Sequence, residues 1–457
     1  MSHHCLCPSC EKLLDQVARL AAENVELKKE NEFLKEQLSK LNQRLEALER
    51  SSFRQAAPFR IPESKRKQEP EKPGRKPGHL GFFRPKPEEV DETIVVPLKA
   101  CPKCGLNVRK LKEVEQFIQE IPPIKPHVTR LVTYKGKCKQ CGWVRSTHPK
   151  QVSLAQGAAG THLGARAVAF ATELNKRLGL TMRKTTEILQ KGFGLKLSPG
   201  GLSQAVDRVG RRLKPLHQKL IQEIRAAPAT YADETSWWVG GPGFWLWVFT
   251  TAKWTLYVVD KSRGSDVVER ILGPKFSGTL ISDCLATYDP IQCRKHKCYA
   301  HHLKAIKQLM PDAGSDSLLP KIRLLLQTAI VWKDHKPNVS RKRYLEGCRN
   351  LEASMDQSLA SVNVISEDQR IANRLLKRRP HLFTFLYEDE VEATNNRAER
   401  ALRPAVIARK LSCGNKTLSG KTTWEILASL GATIQQQRRN FIDFVAERMP
   451  LRARISF

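Results

Sequence analysis

Three carboxylates in the second half of the chain have the settings of metal ligands. Asp233 and Asp283 each close a short apolar run, ATYAD and GTLISD. If the fold brings these carboxylates near one another, they would repel unless cations lie between them. Hard oxygen ligands of this kind suit magnesium. Glu399, in NNRAER, would add a third ligand from a helix capped by Thr394 or Asn395. Such a two-metal site holds the attacking and leaving oxygens of a phosphodiester.

The apolar runs around these residues predict how they are positioned. ATYADETSWW, FWLWVFT and WTLYVVD alternate as strands, SDVVERIL has helical spacing, and GTLISD begins a further strand. Three strands, a helix and a fourth strand predict a ribonuclease H-like core over 226–450, in which the first and fourth strands are neighbours. The interval before Glu399 predicts a basic helical insertion at about 304–390, which we expect to cover DNA.

Glu399 also stands among basic and amide side chains. One interpretation is that the carboxylate binds metal while its neighbours hold the DNA backbone; the other is an ordinary helix-surface ion-pair cluster, worth a few tenths of a kcal/mol. The neighbours predicted to bind DNA are Asn395, Asn396, Arg397, Arg400 and Arg403.

The overall charge favours a polyanionic partner. The chain has 78 Lys and Arg against 46 Asp and Glu, a net charge of +32 over 457 residues, which predicts salt-sensitive attraction to nucleic acid. No apolar run approaches the ~18 residues of a membrane span, and the first ten residues lack a signal-peptide core. We therefore expect a soluble cytoplasmic protein that associates with nucleic acid.

Residues 11–50 predict a leucine-zipper coiled coil. Leucines recur every seven residues, Asn24 and Asn31 occupy a positions, and Glu23 with Lys28 supplies an attractive pair between helices, which together favour a parallel homodimer. The alternative is one amphipathic helix packed on its own protein. The zipper leucines are Leu13, Leu20, Leu27, Leu34, Leu41 and Leu48.

Residues 51–97 predict a basic, proline-rich linker that cannot bury enough apolar surface to fold alone. Within PGRKPG, Arg75 and Lys76 are predicted to reach into a DNA minor groove. A solvated basic tether explains the same composition.

Residues 98–150 predict a zinc-ribbon-like domain. CPKCG and CKQCG form two C-x2-C pairs, each followed by a glycine suited to a tight turn around a metal. VTRLVTYKGKC, before the second pair, alternates like a strand. The predicted structural zinc ligands are Cys101, Cys104, Cys138 and Cys141.

Residues 158–225 predict a helical DNA-binding domain of the helix-turn-helix type. The pattern predicts three helices. Thr181 caps the second, and Ser198 with Pro199 begins the third. A plain helical bundle is the alternative. The residues predicted to face DNA from the third helix are Ser203, Gln204, Arg208 and Arg211.

The segments YADETSW, ISDCLATYD, CYAHHLKAI and NNRAERALRPAVIARK together resemble the IS66 type of bacterial insertion-sequence transposase, a DDE transposase family. The resemblance extends from the KPGRKPGH linker to FIDFVAERM. It implies a ribonuclease H-like transposase with Asp233, Asp283 and Glu399 as Mg2+ ligands, the element's terminal inverted repeats as substrate, and accessory proteins of the same element as partners. The family also carries a C-x2-H pair, matched here by Cys298 and His301. This pair has a structural or metal-binding role, or it is a buried cysteine beside a histidine whose hydrogen bonds are satisfied.

The sequence as a whole predicts a multidomain α+β DNA transposase: a coiled coil, a zinc ribbon, a helix-turn-helix domain and a catalytic core that cuts and joins double-stranded DNA at transposon ends and targets. Two alternatives remain. A related nuclease or resolvase would cut without joining, and a zipper-dimerised DNA-binding regulator would have structural carboxylates and no activity.

Overall fold

The computed structural model describes residues 85–154, 161–310, 317–361, 367–451 and 453–457, with 19–20, 23–24, 26–29, 31–32, 35–36 and 78. The chain divides into two compact units, residues 1–117 and 118–457. Several predicted positions lie outside the described residues: Leu13, Leu34, Leu41, Leu48, Arg75 and Lys76.

The described residues between 19 and 36 are helical, as the heptad pattern predicts. Leu20 and Leu27 are 56% and 50% exposed. The side chain of Asn31 donates to Leu27 O at 3.1 Å within the helix. The dimer stays a prediction.

A two-stranded hairpin surrounds the second cysteine pair. Strand β1 (Lys135–Cys138) pairs antiparallel with β2 (Gly142–Arg145). The predicted strand is wrong over residues 128–134, which have no regular structure. Val128 and Val132 are 84% and 63% exposed, so these apolar side chains are not packed in a core of the described residues.

Three helices follow, as predicted: α1 (Ala165–Thr172), α2 (Met182–Phe193) and α3 (Pro199–Arg225). The Thr181 side chain accepts from Lys184 N, and the Ser198 side chain accepts from Gly201 N. Both predicted caps are therefore confirmed.

The buried face of α3 does not form a core with α1 and α2 alone. Leu202, Val206 and Val209 lie in one apolar cluster with Leu427 and Phe444, which come from the two last helices of the chain. The predicted DNA-binding helices are thus packed on the C-terminal helices.

A mixed five-stranded sheet follows α3. Its elements are β3 (Ala229–Trp237), β4 (Phe244–Thr250), β5 (Thr255–Asp260), α4 (Ser265–Leu272), β6 (Lys275–Ser282) and β7 (Gln292–Lys297). The strands lie in the order β5-β4-β3-β6-β7. The first three are antiparallel, β6 is parallel to β3, and β7 is parallel to β6. The predicted adjacency of the first and fourth strands is confirmed.

Both faces of this sheet are covered. Along β4, Leu246 and Val248 belong to one apolar cluster, whereas Trp247 and Phe249 belong to another on the opposite face. Burial on both faces explains why FWLWVFT is an unbroken apolar run instead of an alternating one.

Strand β7 (QCRKHK) was not predicted because its sequence is strongly basic. Lys295, His296 and Lys297 are nevertheless buried. Lys297 Nζ donates to Ser282 Oγ at 3.1 Å and lies 3.3 Å from Asp289 Oδ1. These internal partners offset the desolvation of the cation.

The described residues after β7 are mainly helical, including those of the predicted insertion. Ile322 and Leu326 from the insertion join the core on the Leu246 face of the sheet. Among the described residues, no helix is both long and apolar enough to cross a membrane. The helices are α5 (Tyr299–Leu309), α6 (Leu319–Asp334), α7 (Arg341–Ala360), α8 (Glu367–Leu376), α9 (Thr384–Tyr387), α10 (Asn396–Ser412), α11 (Leu418–Gln436) and α12 (Phe441–Arg448).

The substitution Gly278→Ala tests the close approach that seats β6 beside β3. An added Cβ would lie 2.9 Å from Pro228 O and closer still to Ala227 O. We expect the free energy of unfolding, measured by urea titration, to fall by about 1–3 kcal/mol. Gly241→Ala is the control, because its Cβ would meet no described atom within 4 Å, and it should change stability by less than about 0.5 kcal/mol. Equal losses in the two variants would contradict the packing argument.

Candidate active site

Asp233 and Asp283 lie at the same end of the parallel strand pair. The β3–β6 pairing ends at Tyr231 and Ile281. Asp233 is two residues further along β3, and Asp283 directly follows the last residue of β6. Since parallel strands end at the same edge of a sheet, both carboxylates project there, at the position where ligands bind in such sheets.

The prediction that β3 ends at Asp233 is wrong. The strand continues to Trp237, because β4 pairs with it from Tyr231 to Trp237, with Asp233 opposite Val248. Asp233 therefore sits on a strand held from one side, which gives its carboxylate a more rigid support than a loop would.

Asp283 begins a tight turn. Its Oδ1 accepts a hydrogen bond of 2.9 Å from Leu285 N, the Asx-turn geometry that shapes many loops after strands. This bond leaves the remaining carboxylate oxygen free of that turn.

Glu399 lies in the first turn of α10, and Asn395 fixes where that helix starts. Asn395 is fully buried. Its Nδ2 donates to Ala232 O at 2.8 Å and its backbone N–H to Cys298 Sγ at 3.1 Å. These two bonds hold the start of α10 against β3, one residue before Asp233, and against the residue that follows β7.

Asn395 also corrects two predictions. It is the N-cap residue, but its side chain makes no capping bond, because its amide is used by Ala232 O. Its complete burial argues against the predicted DNA contact, since its side chain has no surface to offer.

The three carboxylates share one electrostatic environment. The pKa of Asp233 is raised to about 7, chiefly by burial, with further contributions from Glu234, Asp283 and Glu399. Asp283 and Glu399 thus act on Asp233, although the ligand atoms of the three do not form one close group. A cation among them would relieve this repulsion.

A different set of side chains lies closer together. Cys298, His301 and Glu399 each place a ligand atom within 4.8 Å of the other two. Among the residues that the structure describes, no other set of three His, Cys, Asp or Glu side chains is grouped in this way.

Oxygen ligands for a hard divalent ion are present at the carboxylates. Asn395 Oδ1 adds a buried acceptor for which no described residue supplies a donor. A buried polar atom of this kind calls for an ion or a water. The three carboxylates are therefore ligands of the type that Mg2+ prefers, although their ligand atoms do not all lie within 4.8 Å of one another.

Glu234, next to Asp233, is a residue that the sequence reasoning missed. Its side chain is 2% exposed and accepts from Arg263 Nη2 at 2.9 Å and from Tyr288 OH at 2.6 Å. Successive strand residues face opposite sides of a sheet. Asp233 and Glu234 are adjacent on one strand, so only one of them can face the site. The sequence therefore contained a signal that the other would need a partner inside the protein.

Arg378, from the insertion, was also missed. It pairs with Asp289 and donates to Cys284 O at 3.1 Å. Asp289 in turn contacts Lys297 on β7. This buried network ties the loop after Asp283 to the helical insertion.

The basic residues around Glu399 differ in exposure. Asn396, Arg400 and Arg403 are exposed. Arg397 is half-buried, with its Nη2 2.6 Å from Glu392 Oε1 and its guanidinium 4.9 Å from the Tyr231 ring centroid, so its charge is engaged within the protein.

The residues predicted to face DNA from α3 are mostly accessible. Ser203, Gln204 and Arg211 are exposed, and Arg208 is half-buried. Arg211 makes an ion pair with Asp207 one turn earlier. Contact with DNA stays a prediction for all four.

Each C-x2-C pair has the same local turn. The backbone N–H groups of Lys103 and Cys104 lower the pKa of Cys101, and those of Cys141 and Gln140 lower the pKa of Cys138. Gly105 and Gly142 follow with φ of 76° and 71°, which confirms the predicted tight turns and explains the glycines. The zinc site itself stays a prediction.

Comparisons with known proteins confirm the family resemblance. A sequence model described as Transposase IS66 family matches residues 160–423. The chain is 24% identical over 391 residues to Uncharacterized protein y4jD of Sinorhizobium fredii, covering 77% of this chain and 74% of the relative. It is 25% identical over 293 residues to Uncharacterized protein y4qI of the same organism, covering 56% of this chain and about half (53%) of that relative.

The raised Asp233 pKa predicts how stability depends on pH. Because the folded state holds this proton more tightly than the unfolded chain, the stabilisation is fully present below about pH 4 and is lost as the pH rises through about 7. In EDTA, the free energy of unfolding of wild type relative to Asp233→Asn should therefore fall over this range, by roughly 4 kcal/mol at most. Urea titrations at each pH measure the difference.

Asp389→Asn is the control for this measurement. Lys336 lowers the pKa of the Asp389 carboxyl, so its stabilisation has the opposite dependence and is lost as the pH falls. A wild-type advantage over Asp233→Asn that stays constant from pH 4 to 7 would contradict the raised pKa.

Proposed function

The chain belongs to the IS66 transposase family, and on that premise we propose that it is a metal-dependent DNA transposase which binds the terminal inverted repeats of an insertion sequence, cuts them and joins them to target DNA. The observation that carries this proposal is the placement of Asp233 and Asp283 at one end of a parallel strand pair, with Glu399 on a helix fastened to β3 by Asn395.

The sheet order supports a ribonuclease H-like catalytic core. Numbered from β3, the strands lie in the order third, second, first, fourth, fifth, with the second strand antiparallel and the fourth parallel to the first. This is the topology expected from the strand and helix pattern. The helices of the insertion pack on one face of the sheet and leave the Asp233 edge as the place for chemistry.

In the proposed mechanism, Asp233, Asp283 and Glu399 would hold two Mg2+ ions, which would supply charge stabilisation and lower the pKa of a water. Burial and like charge raise the pKa of Asp233 to about 7, and binding of the cations would displace its proton. In the cleavage step, the water oxygen bonds to the phosphorus at the transposon end and loses a proton, the bond from phosphorus to the 3′-oxygen breaks, and that oxygen takes up a proton as the 3′-hydroxyl. In the joining step, this hydroxyl attacks a target phosphodiester and displaces the target's own 3′-oxygen, which leaves as a hydroxyl.

DNA is held by charge in this proposal. Asn396, Arg400 and Arg403 are exposed on the helix that carries Glu399, and guanidinium groups bind phosphate bidentately. The exposed residues at the start of α3 would add a second contact. The net charge of +32 supplies the long-range attraction.

The remaining parts of the proposal concern assembly. Cys101, Cys104, Cys138 and Cys141 would bind structural Zn2+, for which the two N–H-lined turns are suited. The helical heptads, with Leu20 and Leu27 exposed, would pair two protomers. Accessory proteins of the same element are further proposed partners.

Strand cleavage and joining on oligonucleotides of the element's ends test the function. Asp233→Asn, Asp283→Asn and Glu399→Gln keep the side-chain shape but remove a metal-ligand charge. Each should reduce both steps by roughly 10²- to 10³-fold or more, while end binding stays near wild type. The reactions are run with Mg2+ and with EDTA.

Asp389→Asn and Glu447→Gln are matched controls, because these carboxylates are 79% and 67% exposed and lie outside the proposed site. Both should retain activity. Cleavage without joining would favour a nuclease or resolvase. End binding with no cleavage, even when the element's other proteins are added, would favour a regulator.

Substitution of the exposed arginines tests the DNA contact. Arg400→Gln with Arg403→Gln should weaken DNA binding for every sequence and reduce the slope of log K against log salt by about 0.9 for each phosphate that the variant no longer neutralises. Filter binding over a salt series measures the slope. An unaltered slope in this double variant would argue against these contacts.

The control for the arginine experiment is Arg438→Gln with Arg439→Gln, which removes the same amount of charge. Both residues are exposed and follow the end of α11, a different helix from the one that carries Glu399. This variant should keep the wild-type slope, and a reduction equal to that of the first pair would indicate a general effect of charge.

A further inference from the structure

Three side chains that the catalytic proposal uses only in part lie together at two helix starts. Cys298 is the residue before α5, His301 is in the first turn of α5, and Glu399 is in the first turn of α10. One ligand atom from each lies within 4.8 Å of the other two. Sulfur, imidazole nitrogen and carboxylate oxygen are the donor types of transition-metal sites in proteins.

The Cys298 sulfur is surrounded by backbone donors. Asn395 N–H donates to it at 3.1 Å. Burial raises the pKa of the Cys298 thiol, and the N–H groups of Asn395, His301 and Ala300 act in the opposite direction. On balance the thiol pKa is raised, so the thiolate that binds metal forms only when an ion displaces the proton.

This segment repeats the spacing of the two cysteine pairs. Cys298 and His301 are three residues apart, as are Cys101 and Cys104, and Cys138 and Cys141. The C-x2-H motif therefore corresponds in spacing to a C-x2-C pair, with an imidazole in place of the second sulfur.

His301 is the second ligand. Its Nδ1 is buried and has no hydrogen-bond partner among the described residues, an arrangement that is costly for a polar atom. Glu399 is exposed, so the third ligand faces solvent and gives an ion a route to the cluster.

We propose that Cys298, His301 and Glu399 bind one transition-metal ion of the zinc class. The mixed donor set favours Zn2+ or Co2+ over Mg2+, which prefers oxygen ligands alone. Three protein ligands leave a coordination position for water, and the thiol proton is released on binding. The ion links the starts of α5 and α10, and so fixes the helix that carries Glu399.

The site shares Glu399 with the proposed catalytic centre but does not rest on strand cleavage. A carboxylate has two oxygens, so Glu399 can contact this ion with one and serve the Asp233 side with the other. The test below therefore measures metal binding directly and uses no DNA.

The experiment is a Co2+ titration of the full-length protein, followed by the thiolate-to-cobalt charge-transfer absorbance. Because the other cysteines also contribute, the informative quantity is the difference between proteins. Wild type should bind one more cobalt per chain than Cys298→Ser. His301→Gln and Glu399→Gln should weaken that cobalt roughly tenfold or more, since even an outer-shell partner is worth about that much.

Cys293→Ser and His217→Gln are matched controls. Cys293 is a half-buried cysteine on β7, and His217 is a half-buried histidine on α3; neither belongs to the cluster. Like His301, His217 has a buried ring nitrogen without a hydrogen-bond partner among the described residues. Both variants should bind cobalt as wild type does. Circular dichroism verifies that each variant is folded; if Cys298→Ser does not fold, the two weaker-binding variants decide the question.

Equal cobalt binding by wild type and the site variants would overturn the proposal, as would an equal loss in the controls. Strand cleavage with Mg2+ is measured separately on the same wild-type preparation. Absence of cleavage would count against the transposase function and leave the cobalt result standing, so failures of the two proposals are distinguishable.

Discussion

The arrangement of the site depends on one buried amide. Asn395 donates through its side chain to Ala232 O and through its backbone to Cys298 Sγ, and so joins three segments that are far apart along the chain. A hydrogen bond of this kind contributes only about 1 kcal/mol net, yet leaving its buried partners unpaired costs about 1–3 kcal/mol. Glu399 is therefore held near Asp233 mainly by the free-energy cost of leaving these buried groups unpaired, and less by the strength of the hydrogen bond itself.

Charge is distributed around the sheet edge according to which face each side chain occupies. Asp233 faces the site and carries a raised pKa, whereas Glu234 on the other side of the same strand pairs with Arg263 and accepts a hydrogen bond from Tyr288. Asp289 is matched by Arg378 and Lys297 in a similar way. The acidic groups that shape the site are thus compensated within the protein, and those proposed for chemistry are left in excess.

Most of the fold and part of the site could be predicted from the sequence. Local signals were sufficient for the β4–β5 hairpin, for α4, and for the caps at Thr181 and Ser198, because those structures depend on nearby residues. Strand β7 could not be predicted, since Lys297 is buried only through partners elsewhere in the chain. The burial of Asn395 and the closeness of Cys298 to Glu399 are likewise products of tertiary packing, which a helical or strand period does not contain.

Helix α3 connects the predicted DNA-facing residues to the sheet without a break. Its 27 residues span about 40 Å, and its buried face is packed along the length from Leu202 to Ile224. A packed helix of this kind holds residues at its start at a fixed distance from the sheet. If the proposed DNA contact at the start of α3 and the proposed cleavage site at the Asp233 edge are both used, their spacing is set by the protein, and the spacing of sequences within the DNA would then matter as well as the bases themselves.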